Sequence, residues 1–137
     1  MKMVLVHDIA ETRTSDLSYV QKVYTKADED KAAEEIFSGM ILENLETEIL
    51  REYEERKSIE SKIVKDADNL DVDIELKELE VRGHKLPLKW KKLGKKVRNE
   101  KFYTKSAKKI WDLIQKSDPE DWHMNINKWV KLPNAGK

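Results

Sequence analysis

The stretch SIESKIVKDADNLDVDIELKELEVRG, residues 58–83, decides the fold class. Ser58 is a typical N-cap residue, and Gly83 is the residue type that most often ends a helix in the left-handed conformation. Between them the sequence contains neither Pro nor Gly. Apolar residues recur at steps of three and four, the period of one helix face: Ile59, Ile63, Ala67, Leu70 and Ile74. We predict one long helix over about residues 59–82, buried along this apolar row.

The rest of the chain is also typical of helices. Four Gly and three Pro in 137 residues provide few tight turns, which disfavours an all-β fold. We predict the end of a helix at 3–12, a polar loop at 12–25, and further helices at 28–38, 42–56, 85–99, 106–116 and 118–129. No linker or repeat divides the sequence. We expect a single all-α domain over residues 1–137, with a motif-bearing core at about 3–82 and a charged helical C-terminal part at about 83–137.

Charge is distributed unevenly along a chain whose formal net charge is zero. Residues 26–81 contain 19 acidic and 8 basic residues, whereas residues 85–109 contain 11 basic residues and one acidic residue. Solvated helix faces account for such runs most simply, although the basic segment could also dock on the acidic one. The aromatic residues of the basic segment follow no recognised nucleic-acid-binding pattern, so we do not expect a nucleic-acid partner.

The chain has no cysteine, which excludes disulfides and cysteine-based zinc sites. The apolar run MVLV, residues 3–6, is too short for a signal peptide or a membrane span. We therefore expect a cytoplasmic protein that has no membrane partner.

A histidine and several acidic residues stand close together in LVHDIAETRTSD, residues 5–16. On a helix His7 and Glu11 are one turn apart, and Asp8 lies about 100° around the axis from His7. An imidazole and a carboxylate can share a divalent cation, and a further carboxylate can move protons on a water molecule. One histidine with several carboxylates is a hard ligand set that suits Mn²⁺, Mg²⁺ or Co²⁺. Taken alone, however, a His-Asp pair is more often a helix-end histidine beside a solvated acid.

The long helix supplies a second acidic group in KIVKDADNLD, residues 62–71. Asp68 borders the apolar row, whereas Asp66 lies further round towards solvent. A carboxylate beside a buried face needs a partner, and either a cation or an ion pair with Lys65 or a basic helix would provide one. The periodicity does not separate these two possibilities. We predict mostly solvated positions for the next acids along the helix, Asp71, Asp73 and Glu75.

Together these two segments resemble the HD-domain metal-dependent phosphohydrolases. More narrowly, they are similar to the branch that contains bacterial 5'-deoxynucleotidases and their archaeal relatives. The likeness continues through EYEERKSIESKIVKDADNLDVDIELKELE, residues 52–80, and covers about residues 3–82. It implies an HD-domain helical bundle in which three side chains bind a divalent metal ion: His7, Asp8 and Asp68. It also implies catalytic roles for Glu11 and Asp16, and substrate contacts from the segment Asp16, Leu17, Ser18 and Tyr19.

The resemblance implies hydrolysis of a nucleoside 5'-monophosphate, preferably a deoxynucleotide, to nucleoside and phosphate, by a homodimer. Two alternatives stay open: an HD phosphohydrolase that acts on another nucleotide or phosphate ester, and a non-catalytic helical binding protein with an incomplete metal site. Family members carry a further ligand histidine upstream, and none of the six residues before His7 is a histidine. We expect an N-terminally shortened chain, or else a partner subunit that covers the exposed core, with poor metal affinity and turnover in either case.

Overall fold

The computed structural model describes residues 1–125. Over that range the chain is helical and contains no strand, which confirms the predicted all-α class. The helices are α1 (Lys2–Val6), α2 (Glu11–Thr14), α3 (Gln21–Tyr24), α4 (Glu29–Phe37), the π-helix Leu45–Leu50, α5 (Arg51–Glu55), α6 (Ile59–Val81), α7 (Leu86–Glu100), α8 (Lys105–Lys116) and α9 (Trp122–Asn125). None of the helices in this part of the chain has the length and apolar content that a bilayer span requires.

Local caps fix both predicted ends of α6 and the predicted start of α8. The Ser58 hydroxyl accepts a hydrogen bond from the backbone N–H of Ser61 at 3.1 Å, where α6 begins. Gly83 follows the end of α6 with φ of +84°, the left-handed conformation that glycine adopts without strain. The Thr104 hydroxyl accepts from the N–H of Ala107 at 3.1 Å and caps α8. These boundaries confirm the sequence prediction to within a residue or two.

Two of the predicted loop and helix boundaries are wrong, and local hydrogen bonds explain both. The stretch 12–25 contains short helices because Ser18 and Gln21 cap α3 reciprocally: the Ser18 N–H donates to Gln21 Oε1 at 2.8 Å, and the Gln21 N–H donates to Ser18 Oγ at 3.4 Å. The last helix begins at Trp122 rather than 118, because the Asp118 carboxylate accepts from the N–H of Glu120 at 2.9 Å and forms a turn. Residues 126–129 of that predicted helix lie outside the described range.

The predicted helix at 42–56 forms with a different geometry. It begins at Leu45 as a π-helix, and the α-helical part, α5, occupies only Arg51–Glu55. Arg56 then ends α5 with φ of +52°. The segment between α5 and α6 is therefore a tight connection of three residues, Arg56 to Ser58.

Helix α6 buries Leu70 of its predicted apolar row but leaves the isoleucines of that row exposed. Ile59, Ile63 and Ile74 remain 55%, 53% and 44% exposed. The buried positions are Ser61, Val64, Asp66, Leu70 and Asp73. Burial therefore follows the neighbours that pack against α6 rather than the hydrophobicity of α6 itself.

Two carboxylates that were predicted to face solvent, Asp66 and Asp73, are buried on α6. Asp66 is only 2% exposed and accepts hydrogen bonds from the backbone N–H groups of Tyr103 and Thr104, at 2.8 and 2.9 Å. The prediction that Asp66 faces solvent is wrong because these two donors, at the start of α8, replace water. Asp73 is also buried, against its predicted solvated position, and burial raises the pKa of its carboxyl group.

The chain divides into two compact units, Met1–Lys65 and Asp66–Lys137, and the division falls within the continuous helix α6. The first unit has two apolar clusters. One contains Val6, Ala10, Ala32, Ala33, Phe37 and Leu50, and the other contains Met3, Tyr53 and Val64. These clusters pack α1 and the turn after it onto α4, the π-helix and the start of α6.

The second unit has a smaller core of Leu70, Phe102 and Ala107. Some charges of the basic segment pair within this unit, since Lys91 contacts Glu80 at 3.3 Å and the Arg98 guanidinium binds the Asp112 carboxylate. The Lys91 contact joins the basic segment to the acidic helix α6, as one of the two predicted arrangements requires. The prediction of a single domain over residues 1–137 stays a prediction.

Candidate metal centre

His7 and Asp8 directly follow the last residue of α1. The His7 Nδ1 atom lies 3.0 Å from the backbone oxygen of Val4. A carbonyl oxygen can only accept a hydrogen bond, so Nδ1 carries the proton and Nε2 keeps the lone pair that a metal ion needs. Nε2 in turn lies 3.0 Å from Oδ2 of Asp8. At that separation the two atoms can act as neighbouring ligands of one cation.

Tyr53 fixes the His7 imidazole from another side. The two rings meet edge to face, with centroids 5.4 Å apart and planes inclined at 76°. Tyr53 is 3% exposed and packs in one cluster with Met3 and Val64. The backbone N–H of His7 also donates a hydrogen bond to the Met3 carbonyl at 3.0 Å, one helical turn earlier. The imidazole is therefore positioned by the cluster that packs α1 onto the first part of α6.

Asp68, on α6, is the third member of this candidate group. It lies one helical turn beyond Val64, just as His7 lies one turn beyond Met3, and Met3 and Val64 share a cluster. One ligand atom from each of His7, Asp8 and Asp68 lies within 4.8 Å of the other two. Among residues 1–125, these three form a group that could hold a metal ion.

This donor set fits a divalent cation. It combines one imidazole nitrogen with two carboxylates, which suits ions that accept both nitrogen and oxygen ligands. The side chains of His7 and Asp8 are 18% and 52% exposed, so the group opens to solvent. Three protein ligands at an open position leave room for water and for an oxygen of a substrate.

Glu11 is the first residue of α2, close to this group. Burial raises the pKa of the Glu11 carboxyl, and the negative charges of Asp8 and Asp16 raise it further. A carboxyl group whose pKa moves towards neutrality is better suited to exchange protons with a reactant. The structure thus brings Glu11 together with Asp8 and Asp16.

The predicted substrate segment lies on the surface. Asp16, Ser18 and Tyr19 are exposed, and Leu17 is half-buried. Ser15, directly before them, has φ of +66°, and this turns the chain away from α2. The backbone N–H and hydroxyl of Ser18 are already used in the cap of α3. Asp16 is therefore the member of this segment with the most freedom to meet a ligand.

Sequence reasoning missed Arg56, although it shares Tyr53 with His7. The Arg56 Cζ atom lies 3.4 Å from the centroid of the Tyr53 ring. One signal was available: the helix that carries Tyr53 ends without the Gly or Asn that usually takes a left-handed position. The sequence pattern gave no indication that an arginine would take it instead.

An imidazole and two carboxylates around one open position form a group of the kind that can hold a divalent metal ion. Residues 1–117 match the family described as HD domain, and this chain is a member of that family. Membership confirms the predicted HD-domain fold class. Proteins of this family bind divalent metals, which agrees with the group at His7.

The comparison with curated proteins gives a relative with a named activity. The chain is 37% identical over 86 residues to 5'-deoxynucleotidase HDDC2 of Danio rerio. The match takes in 58% of this chain and 42% of the relative, so the chain spans less than half of the relative's length. No solved structure matches the chain.

Proposed function

We propose that this protein is a metal-dependent phosphohydrolase that converts a nucleoside 5'-monophosphate, preferably a deoxynucleotide, to a nucleoside and inorganic phosphate. The observation that carries the proposal is the grouping of His7, Asp8 and Asp68 ligand atoms within 4.8 Å in an HD-domain chain. The substrate class is supported by the name of the Danio rerio relative.

In this proposal His7, Asp8 and Asp68 hold one divalent ion, Mn²⁺, Co²⁺ or Mg²⁺. When bound, such an ion lowers the pKa of a water molecule and offsets negative charge on the phosphoryl oxygens. Nδ1 of His7 stays protonated on the Val4 carbonyl, which keeps Nε2 aimed at the ion.

In the same proposal Glu11 transfers the proton and Asp16 binds the substrate. Glu11 accepts the proton of the attacking water and passes it to the leaving 5'-oxygen as the P–O bond breaks. The raised pKa of Glu11 favours both steps near neutral pH. Asp16 accepts a hydrogen bond from a sugar hydroxyl, while Leu17, Ser18 and Tyr19 line the sugar and base.

Metal-dependent hydrolysis of dAMP by two variants tests the proposal. Asp68→Asn should lose turnover with Mn²⁺, Co²⁺ and Mg²⁺ by at least about 100-fold, because a ligand is lost. Asp71→Asn is the matched control, since Asp71 is an exposed acid on the same helix, and should retain wild-type turnover. Equal turnover in wild type and Asp68→Asn would contradict the proposal.

A panel of substrates separates the alternatives. Deoxynucleoside and ribonucleoside monophosphates, cyclic nucleotides and simple phosphate esters distinguish the 5'-nucleotidase reaction from another phosphate ester hydrolysis. A non-catalytic binding protein with an incomplete metal site would hydrolyse none of them and should be indifferent to substitution of Asp68. With three protein ligands, we expect weak metal affinity and slow turnover.

The homodimer and the cytoplasmic location also remain proposals. The dimer is implied by the family resemblance, and light scattering on the purified chain tests it. Location in a reducing compartment is supported by the absence of cysteine. Fluorescence imaging of the tagged chain in its own cells tests that location.

A further inference from the structure

Arg56 ends α5 in a conformation that arginine rarely adopts. Its φ and ψ are 52° and 28°, in the left-handed region where an L side chain meets its own backbone. Glycine or asparagine normally takes such a position after a helix. An arginine persists there when the surrounding structure holds it, and residues held in this way cluster at ligand sites.

The Arg56 guanidinium has unused hydrogen-bonding capacity. Its side chain is 18% exposed, and Nη1 is buried without a hydrogen-bond partner among the described residues. The ion pair with Glu54 joins Nη2 to Oε1 at 3.8 Å, which is longer than a hydrogen bond. A guanidinium offers five N–H donors in one plane. Arg56 can therefore donate hydrogen bonds to an anionic ligand without losing a protein hydrogen bond at Nη1.

The Arg56 guanidinium and the His7 imidazole both contact the ring of Tyr53. The ring of Tyr53 carries the Arg56 cation at 3.4 Å from its centroid and the His7 imidazole at 5.4 Å. Tyr53 is 3% exposed and fixed by the core, and a cation over a tyrosine face is attracted to it. Arg56 and His7 are thus positioned by the same buried side chain.

We infer that Arg56 binds a phosphate group of a ligand at the His7 centre, by donating N–H bonds to two phosphate oxygens. The inference rests on the proposed function and adds the residue that recognises the phosphate. The flat fork of a guanidinium matches two oxygens of a phosphate, which a lysine ammonium cannot do. Because Nη1 is buried, binding a phosphate through it requires the guanidinium to rotate over the Tyr53 ring.

The charges around the centre explain why such a residue is needed. Asp8, Glu11 and Asp68 repel a phosphate, and one divalent ion offsets only part of their charge. Arg56 adds a permanent positive charge, since a guanidinium does not lose its proton in proteins. It therefore binds the phosphate part of a nucleotide, and not the nucleoside part.

Calorimetric titration of the full chain with inorganic phosphate, with and without Mg²⁺, tests the inference. Arg56→Gln should raise the Kd for phosphate about 10- to 100-fold, the effect of losing a charge-assisted pair. The matched control is Arg51→Gln, because Arg51 begins the helix that Arg56 ends, is 70% exposed and contacts Glu46 at 3.8 Å. Its Kd for phosphate should stay close to the wild-type value.

Titrations with dAMP and with deoxyadenosine identify the part of the ligand that Arg56 contacts. Arg56→Gln should weaken binding of dAMP by the same factor as phosphate, and should leave deoxyadenosine binding unchanged. Arg56→Gly guards against misfolding, since glycine suits the left-handed position and should give a melting temperature no lower than wild type. It should lose phosphate affinity as Arg56→Gln does.

Each failure has its own signature. The inference about Arg56 is overturned if wild type does not bind phosphate, if both Arg56 variants bind it as wild type does, or if Arg51→Gln loses as much affinity. Failure of the proposed function appears elsewhere, as absent Mg²⁺ binding or absent dAMP hydrolysis in wild type. The Arg56 variants should leave Mg²⁺ affinity within about 2-fold of wild type, because Arg56 carries no metal ligand.

Discussion

Asp66 and Asp68 stand two residues apart on α6 and have different partners. Asp66 is 2% exposed and accepts the backbone N–H groups of Tyr103 and Thr104. Asp68 is partly exposed and belongs to the candidate metal-ligand group with His7 and Asp8. Successive residues on a helix point about 100° apart, so a step of two positions is enough to turn a carboxylate from one set of partners to the other.

This difference predicts opposite effects of the same substitution. Asp66→Ala leaves two backbone donors without an acceptor and should lower the free energy of unfolding by about 2–4 kcal/mol. Asp68→Ala should change it by less than about 1 kcal/mol in metal-free protein, because the side chain is partly exposed. Urea denaturation of both variants in the presence of a chelator measures this. Equal destabilisation by the two substitutions would show that Asp68 is also a structural residue.

Glu11 combines a proposed proton-transfer role with a cost to stability. Burial and the charges of Asp8 and Asp16 raise its pKa, so the folded chain keeps this proton at pH values where the unfolded chain has lost it. Stability contributed by the protonated group is present at low pH and is lost as pH rises through the folded-state pKa. In metal-free protein, Glu11→Gln should therefore have the same melting temperature as wild type near pH 4 and a higher melting temperature than wild type at pH 7.

The same substitution should reduce turnover about 10²- to 10⁴-fold, the usual contribution of a general acid or base. Melting curves from pH 4 to 7 and dAMP hydrolysis measure the two effects. Glu34→Gln, at an exposed position on α4, serves as the control and should follow wild type in both. A difference between wild type and Glu11→Gln that stays constant with pH would show that titration of Glu11 is not its cause.

At the scale of elements, the sequence predicted helix ends better than helix faces. The ends of α6 and α8 depend on caps such as Ser58 and Thr104, which act on residues three positions away. The buried face of α6 depends on distant partners, since Leu70 packs on Phe102 far along the chain. Such pairings are absent from a local pattern, so the apolar row correctly predicted burial of Leu70 but not of Ser61 or Val64.

The two faces of α6 should respond differently to loss of apolar atoms. Val64→Ala removes two methyl groups that pack with Met3 and Tyr53, and should lower the free energy of unfolding by about 1–3 kcal/mol. Ile63→Ala, at the adjacent and 53% exposed position, should cost no more than about 0.5–1 kcal/mol. Thermal or urea denaturation compares them. A larger loss for Ile63 would mean that its face is covered in solution.

At the scale of the whole molecule, the site joins residues about sixty positions apart in sequence. Spacing alone linked His7 to Glu11, but only the family resemblance linked them to Asp68. The structure adds that one candidate ligand atom from each of His7, Asp8 and Asp68 lies within 4.8 Å of the other two. Arg56 lay beyond both kinds of reasoning, since its importance depends on a backbone angle and on the position of one tyrosine ring.

Because the ligand atoms come together only in the folded chain, a bound metal should stabilise the whole molecule. An ion that binds the folded state alone adds about 1.4 kcal/mol at a concentration ten times its Kd, which for a chain of this size raises the melting temperature by roughly 3–6 °C. We expect such a rise in wild type and in Asp71→Asn when Mn²⁺ is increased to the millimolar range, and none in Asp68→Asn. Differential scanning calorimetry with and without a chelator measures it. An equal rise in Asp68→Asn would place the metal elsewhere on the protein, and the loss of the rise in Asp71→Asn would show that general negative charge, rather than a ligand set, attracts the ion.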